Sequence, residues 1–235
     1  MEDVSSLFDR NTMVLHGMSA LFLQFLHPGV AQTLVQSGAL ERDPLARLRR
    51  TGELTKALLQ SKPDAKRRFG VIHVGIDPEQ ILWVLTTLVI TDIDAHALLY
   101  GPLTADRAED LYDAIRPFAA DVGITDELLP PTYEALRAYY WGMVRSLEFA
   151  DGELQSTRDA LALANAIFTI RVLGLRPVWL IKAFAAGLLP EEGRAVYRLR
   201  WGVSQRLFWR VVVALLRLRP PRPGVTSPPE EKCGG

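Results

Sequence analysis

Apolar residues recur along this chain at intervals of three and four, and runs of strict alternation are nearly absent. A period near 3.6 marks a helix with one face in a core, so the pattern predicts helices and no sheet. The first helix is expected from about Thr12 to Leu26, where Pro28 punctuates it, with a short continuation from Val30 to Gln36 that ends near Gly38. Asp43-Pro44 pairs an N-cap with a first-turn proline. It opens a helix to about Gln60 with Leu45, Leu48, Leu54 and Leu58 at its apolar positions. A second such pair, Asp77-Pro78, opens a helix holding Trp83, Leu88 and Ile90, which Gly101-Pro102 stops after Tyr100. This helix is apolar on nearly every side, which places it at the centre of the fold. Thr104 caps the next helix, and Asp106, Glu109 and Asp110 in its first turns suit the helix dipole. Pro117 is expected to kink or shorten it. Further helices are expected near Pro131, over 156–173, from Pro177 to Gly187 and from Arg198 to Leu218. The remainder, 219–235, is proline-rich and polar and reads as a disordered tail. The expected fold is therefore all-α: one multi-helix globular domain over 5–218, with a buried central helix and a cofactor-type pocket.

Composition narrows the function classes. Lysine plus arginine number 27 and aspartate plus glutamate number 27, so no basic excess points to nucleic acid. Cys233 is the only cysteine, which rules out an internal disulfide and any cysteine-based metal cluster. The start, MEDVSSLFDRNT, has neither the basic nor the apolar region of a secretory signal. The most apolar run, ILWVLTTLVI at 81–90, is too short to span a bilayer and reads as core. A cytoplasmic protein is expected, with membrane association as the alternative.

Four histidines, His16, His27, His73 and His96, are the natural candidates for chemistry. None forms the HExxH spacing of a zinc protease, and neither a phosphate-binding glycine loop nor a GxSxG elbow is present. His27 ends the apolar run FLQFL against Pro28, where it either caps helix carbonyls or lines a cofactor pocket. His73, just before the central helix, is either a surface or loop histidine or points its imidazole into the bundle as an axial ligand for haem iron. In LARLRRTGEL, Arg47 and Thr51 are four apart on one helix face, and Thr51 lies on the leucine stripe between Leu48 and Leu54. With Arg50 they could donate to a bound oxygen species or a carboxylate; otherwise the cluster is a solvated basic face. Asp92, Asp94 and His96 lie late in the central helix; Asp92 and His96 are spaced to pair on one face, with a divalent-metal site as the alternative. The last helix combines arginines with Trp201, Phe208 and Trp209, a composition suited to core packing or to peripheral membrane contact.

Taken in order, LFLQFLHPGVAQTLVQSG, DPLARLRRT, the IH-V-G fragment at 72–75, DPEQILWVLTTLV, LYGPLTADRAEDLYD, LLPPTYEALRAYY and LRPVWLIKAFAAGLLP resemble one family. It contains the fungal mycophenolic-acid-biosynthesis oxygenase and the bacterial latex-clearing (rubber) oxygenases, and the resemblance runs from about residue 12 to residue 201. It implies an all-α fold holding haem b, with His73 as the best match to the proximal iron ligand. Arg47, Arg50 and Thr51 match the segment lining the distal side. It implies dioxygen and an apolar small molecule or lipid-like compound as substrates, with oxidative cleavage of a carbon–carbon double bond as the reaction. Arg50 stands where the family has lysine, the arginine after the proximal histidine is missing, and Leu85 stands where a histidine is common. Those departures motivate the alternative, a non-catalytic helical protein that binds a lipid or small ligand. Whether His27 or His73 is the stronger iron ligand stays open at the level of sequence.

Overall fold

A computed structural model describes residues 10–31, 77–148 and 178–218. Within them lie seven helices and no strand: α1 (Arg10–Leu26), α2 (Pro78–Tyr100), α3 (Ala105–Asp121), α4 (Tyr133–Glu148), α5 (Val178–Ala186), α6 (Glu191–Val196) and α7 (Val203–Arg217). The domain is all-α. The helices expected over Asp43–Gln60 and 156–173, and the tail, lie outside the described residues.

The local signals act as their chemistry dictates. Asp77 accepts the Glu79 N–H at 2.9 Å, Pro78 opens α2, and Gly101 closes it at φ 105°. Thr104 caps α3 by accepting the Arg107 N–H. Pro117 does not shorten α3, which runs on to Asp121. Gly123 at φ 90° then ends the helix, and Ile124 turns into the core. The Pro130-Pro131 turn is held by α3: Tyr112 and Arg116 donate to the Pro130 and Pro131 carbonyls. Both carboxylate oxygens of Glu109 accept the Tyr133 N–H, setting a negative charge at the start of α4.

α1 and α2 run antiparallel, since Gln24 meets Thr87, His16 meets Asp92 and Asn11 meets Tyr100. α2 is the buried centre. It is long and apolar enough by composition to cross a membrane, yet Ile81, Trp83, Val89 and Ile90 are packed inside the protein, as in a core helix. The carbonyls near the end of α1 face that core. The His27 N–H turns to the Gln24 carbonyl, and the Trp83 indole N–H takes the Leu23 carbonyl at 3.2 Å. The Tyr197 hydroxyl donates to the Phe22 carbonyl at 2.6 Å, with the two rings edge to face. Buried carbonyls are thus supplied with side-chain donors.

The C-terminal elements differ from the expected single helix over Arg198–Leu218. α6 was not anticipated; Pro190 precedes it and Glu191 and Glu192 fill its first turn. The chain then passes through Arg198 at φ 50°, and α7 starts only after Gly202, whose N–H is taken by the Gln205 side chain at 3.0 Å. Gly187 after α5 admits the Trp209 ring against bare backbone; a Cβ there would collide with it.

Candidate functional site

Two polar features interrupt the apolar contact of α1 with α2. The first is the corner at His27-Pro28-Gly29. The α1 ladder ends at Leu26, and a new helical turn over 28–31 begins at once, with the Ala31 N–H on the His27 carbonyl at 2.9 Å. The His27 ring Nδ1 accepts the Val30 N–H at 3.4 Å. Histidine therefore plays the N-cap part usually given to serine or aspartate, with Pro28 in the first helical position. At this corner the His27 ring thus meets the N–H of the following turn. Burial lowers the His27 pKa, and the carboxylates of Asp77 and Glu79 partly offset that shift. A neutral imidazole that accepts at Nδ1 carries its proton on Nε2, so the far edge of His27 is a hydrogen-bond donor.

Gly29 makes room at this corner for Gln80 of α2, whose amide a Cβ would strike. The Gln80 Oε1 is buried and meets no donor among the described residues. The corner therefore presents a half-buried donor edge and a buried acceptor beside the start of α2. Three residues of chain separate His73 from Asp77.

The second feature is a polar seam deeper between the helices. Thr12, His16 and Ser19 on α1 and Thr86, Thr87, Thr91 and Asp92 on α2 are all buried. His16 Nε2 lies 3.6 Å from an Asp92 carboxylate oxygen, and burial lowers the His16 pKa to about 4. The imidazole is therefore neutral at physiological pH. His16 Nδ1, Ser19 Oγ and Thr86 Oγ1 have no hydrogen-bond partner among the described residues. Thr87 and Thr91 satisfy their hydroxyls on their own helix, donating to the Val84 and Thr87 carbonyls.

Among the residues proposed from sequence, His27 is at the corner. His73, Arg47, Arg50 and Thr51 lie outside the described residues. Asp92 has an imidazole partner on another helix, His16, where a same-helix partner had been the expectation. His96 meets Tyr100 edge to face. No group of three potential metal-ligating side chains occurs among the described residues. Sequence reasoning counted His16 without assigning it a place. The missed signal was the spacing of Thr12, His16 and Ser19, a polar stripe along an otherwise apolar helix.

Comparison with known proteins places this geometry in context. The family described as "ER-bound oxygenase mpaB/B'/Rubber oxygenase, catalytic domain" matches residues 6–218. Two curated relatives are the uncharacterized proteins Mb2261 of Mycobacterium bovis and Rv2237 of Mycobacterium tuberculosis. Each is 25% identical over 207 residues, covering 81% of this chain and 80% of the relative. No solved structure matches the chain.

Proposed function

The chain belongs to the ER-bound oxygenase and rubber oxygenase catalytic-domain family, and on that basis we propose that it is a haem b-dependent oxygenase acting on an apolar small molecule or lipid-like substrate. The observation that carries this reading is the family match over 6–218. The chemistry of the HPG corner supports it. A histidine ligating iron through one ring nitrogen normally donates a hydrogen bond from the other. His27 instead accepts at Nδ1 and donates at Nε2, which suits a hydrogen-bond donor beside a cofactor better than an axial ligand. His73 is accordingly assigned as the axial ligand. Arg47 and Thr51 donate to the oxygen or orient the substrate, and Arg50, always charged, supplies a cation where it cannot ligate. When bound, haem supplies the iron at which dioxygen is activated. Oxidative cleavage of a carbon–carbon double bond is the finer reaction proposed, by family resemblance.

One observation favours the second reading, a ligand-binding protein without catalysis. Leu85, at the position where histidine is common in the family, is buried in the apolar core of α2. The absorption spectrum of the full chain, purified after expression with ample haem, separates the two. A Soret band at near-stoichiometric haem, lost in His73→Ala, is the expected result. His27→Asn keeps an N-cap but removes the ring donor, so it should retain haem and turn over more slowly. A colourless protein that also fails to take up haemin would overturn the oxygenase reading in favour of ligand binding.

A further inference from the structure

α7 carries two apolar faces. At about 100° per residue, Trp209, Val213 and Leu216 share one side and are buried, with Trp209 packed edge to face on Phe184. Val203, Leu207, Val211, Leu215 and Leu218 form an unbroken ridge on the other side, each between 50% and 82% exposed. A soluble helix ordinarily needs only the first face. A row of five exposed aliphatic residues is the kind of contiguous patch that marks an interaction surface.

What borders the ridge identifies its occupant. Arg206, Arg210 and Arg217 fall in a narrow strip along one flank, and all three are exposed. Arg206 donates to the Trp201 carbonyl and Arg217 to the Leu98 carbonyl, acceptors that anchor the side chains without neutralising their charge. No aspartate or glutamate occurs on α7. The opposite flank is aromatic: Phe208 meets Trp179 edge to face, and Trp179 and Leu180 of α5 are themselves exposed. Aliphatic ridge, arginine row and bordering tryptophan are the three components of a helix lying in a lipid headgroup region. A second copy of the chain would bring a ridge with arginines and no carboxylate to face them.

We propose that α7, with Trp179 and Leu180, docks the protein on an anionic lipid surface, the ridge entering the acyl boundary and the arginines meeting phosphate groups. This goes beyond the oxygenase reading and does not depend on haem.

The test is co-sedimentation of the full chain with phosphatidylglycerol-containing vesicles and with pure phosphatidylcholine vesicles. Three arginines at about a factor of five each predict binding on the order of a hundredfold stronger to the anionic vesicles, weakened by salt. Leu207→Gln with Val211→Gln should abolish sedimentation, and Arg206→Gln with Arg210→Gln should weaken it about thirtyfold. All four side chains are exposed, so an unchanged thermal melt confirms that each variant is folded. Absence of binding to anionic vesicles overturns the proposal, as does equal binding by the ridge variant. So does a lipid-independent dimer by light scattering that the ridge variant dissolves.

Discussion

Two helices in this protein end with the same pair of backbone hydrogen bonds but with different residues at the critical position. After α3, Gly123 and Ile124 donate to the Ala120 and Ala119 carbonyls at 3.1 and 3.0 Å. After α6, Arg198 and Leu199 donate to the Ala195 and Arg194 carbonyls at 2.9 and 2.8 Å. Both are the Schellman arrangement, which requires a left-handed residue. Glycine supplies that conformation without a Cβ penalty, whereas Arg198 adopts it at φ 50°. Because Arg198 is exposed, removing its side chain gives up little packing. Arg198→Gly should therefore raise stability by about 1 kcal/mol, read as a higher urea midpoint at unchanged slope; an unchanged or lower midpoint would refute the strain argument. The same residue shows why the last helix was misplaced from sequence. Apolar spacing continues through 198–203, and nothing in a periodicity marks an arginine that turns left-handed. Gly202 was the only visible breaker.

At the scale of elements, the α1–α2 contact contains the fold's least expected pairing. Its apolar part was legible, since Phe22, Leu23, Trp83 and Ile90 lie in runs that could only be core. The polar seam was legible only in part: Thr12, His16 and Ser19 make a polar stripe on α1, but nothing in local spacing names Asp92, 76 residues away, as the partner of His16. This seam makes stability depend on pH. Burial holds the His16 pKa near 4 in the folded chain against 6.5 ordinarily. As pH falls below 6.5 the unfolded chain takes up a proton that the native chain refuses. The contribution is thus complete above 6.5 and is lost progressively towards pH 4. The two-and-a-half-unit gap corresponds to about 3 kcal/mol. Asp92 is the titratable group that faces His16 across the seam, 3.6 Å from its Nε2. Urea unfolding at a series of pH values should show this decline in the native chain and a flatter profile in His16→Gln. Parallel profiles would mean that other groups govern acid sensitivity.

At the scale of the whole molecule, the α1 C-terminus is where distant parts of the chain converge. Tyr197 reaches it across 175 residues and Trp83 across 60, and each donates to a main-chain carbonyl in the core. The HPG corner begins at the next residues, so the proposed site rests on the same anchorage. Trp83 was legible as a central core residue; Tyr197 was not, because it follows a six-residue helix that periodicity cannot register. The two donors should not be equivalent. The Phe22 carbonyl sits inside the α1 helix, where the backbone ladder also reaches it, so Tyr197→Phe removes a hydrogen bond at a cost of about 1 kcal/mol. Burial raises the Tyr197 pKa, so the hydroxyl is a donor at any moderate pH and this cost should not vary between pH 6 and 8. The Leu23 carbonyl, by contrast, has lost the His27 N–H to Gln24 and depends on the indole. Trp83→Phe strands that buried carbonyl and opens space beside Tyr140, whose ring stacks on the indole at 6.0 Å. Its cost should be about 3 kcal/mol or more. Chemical unfolding of the two variants side by side measures the difference. Equal losses would mean that Leu23 finds another donor when the indole is gone, and that α1 does not depend on Trp83 to bury its last turn.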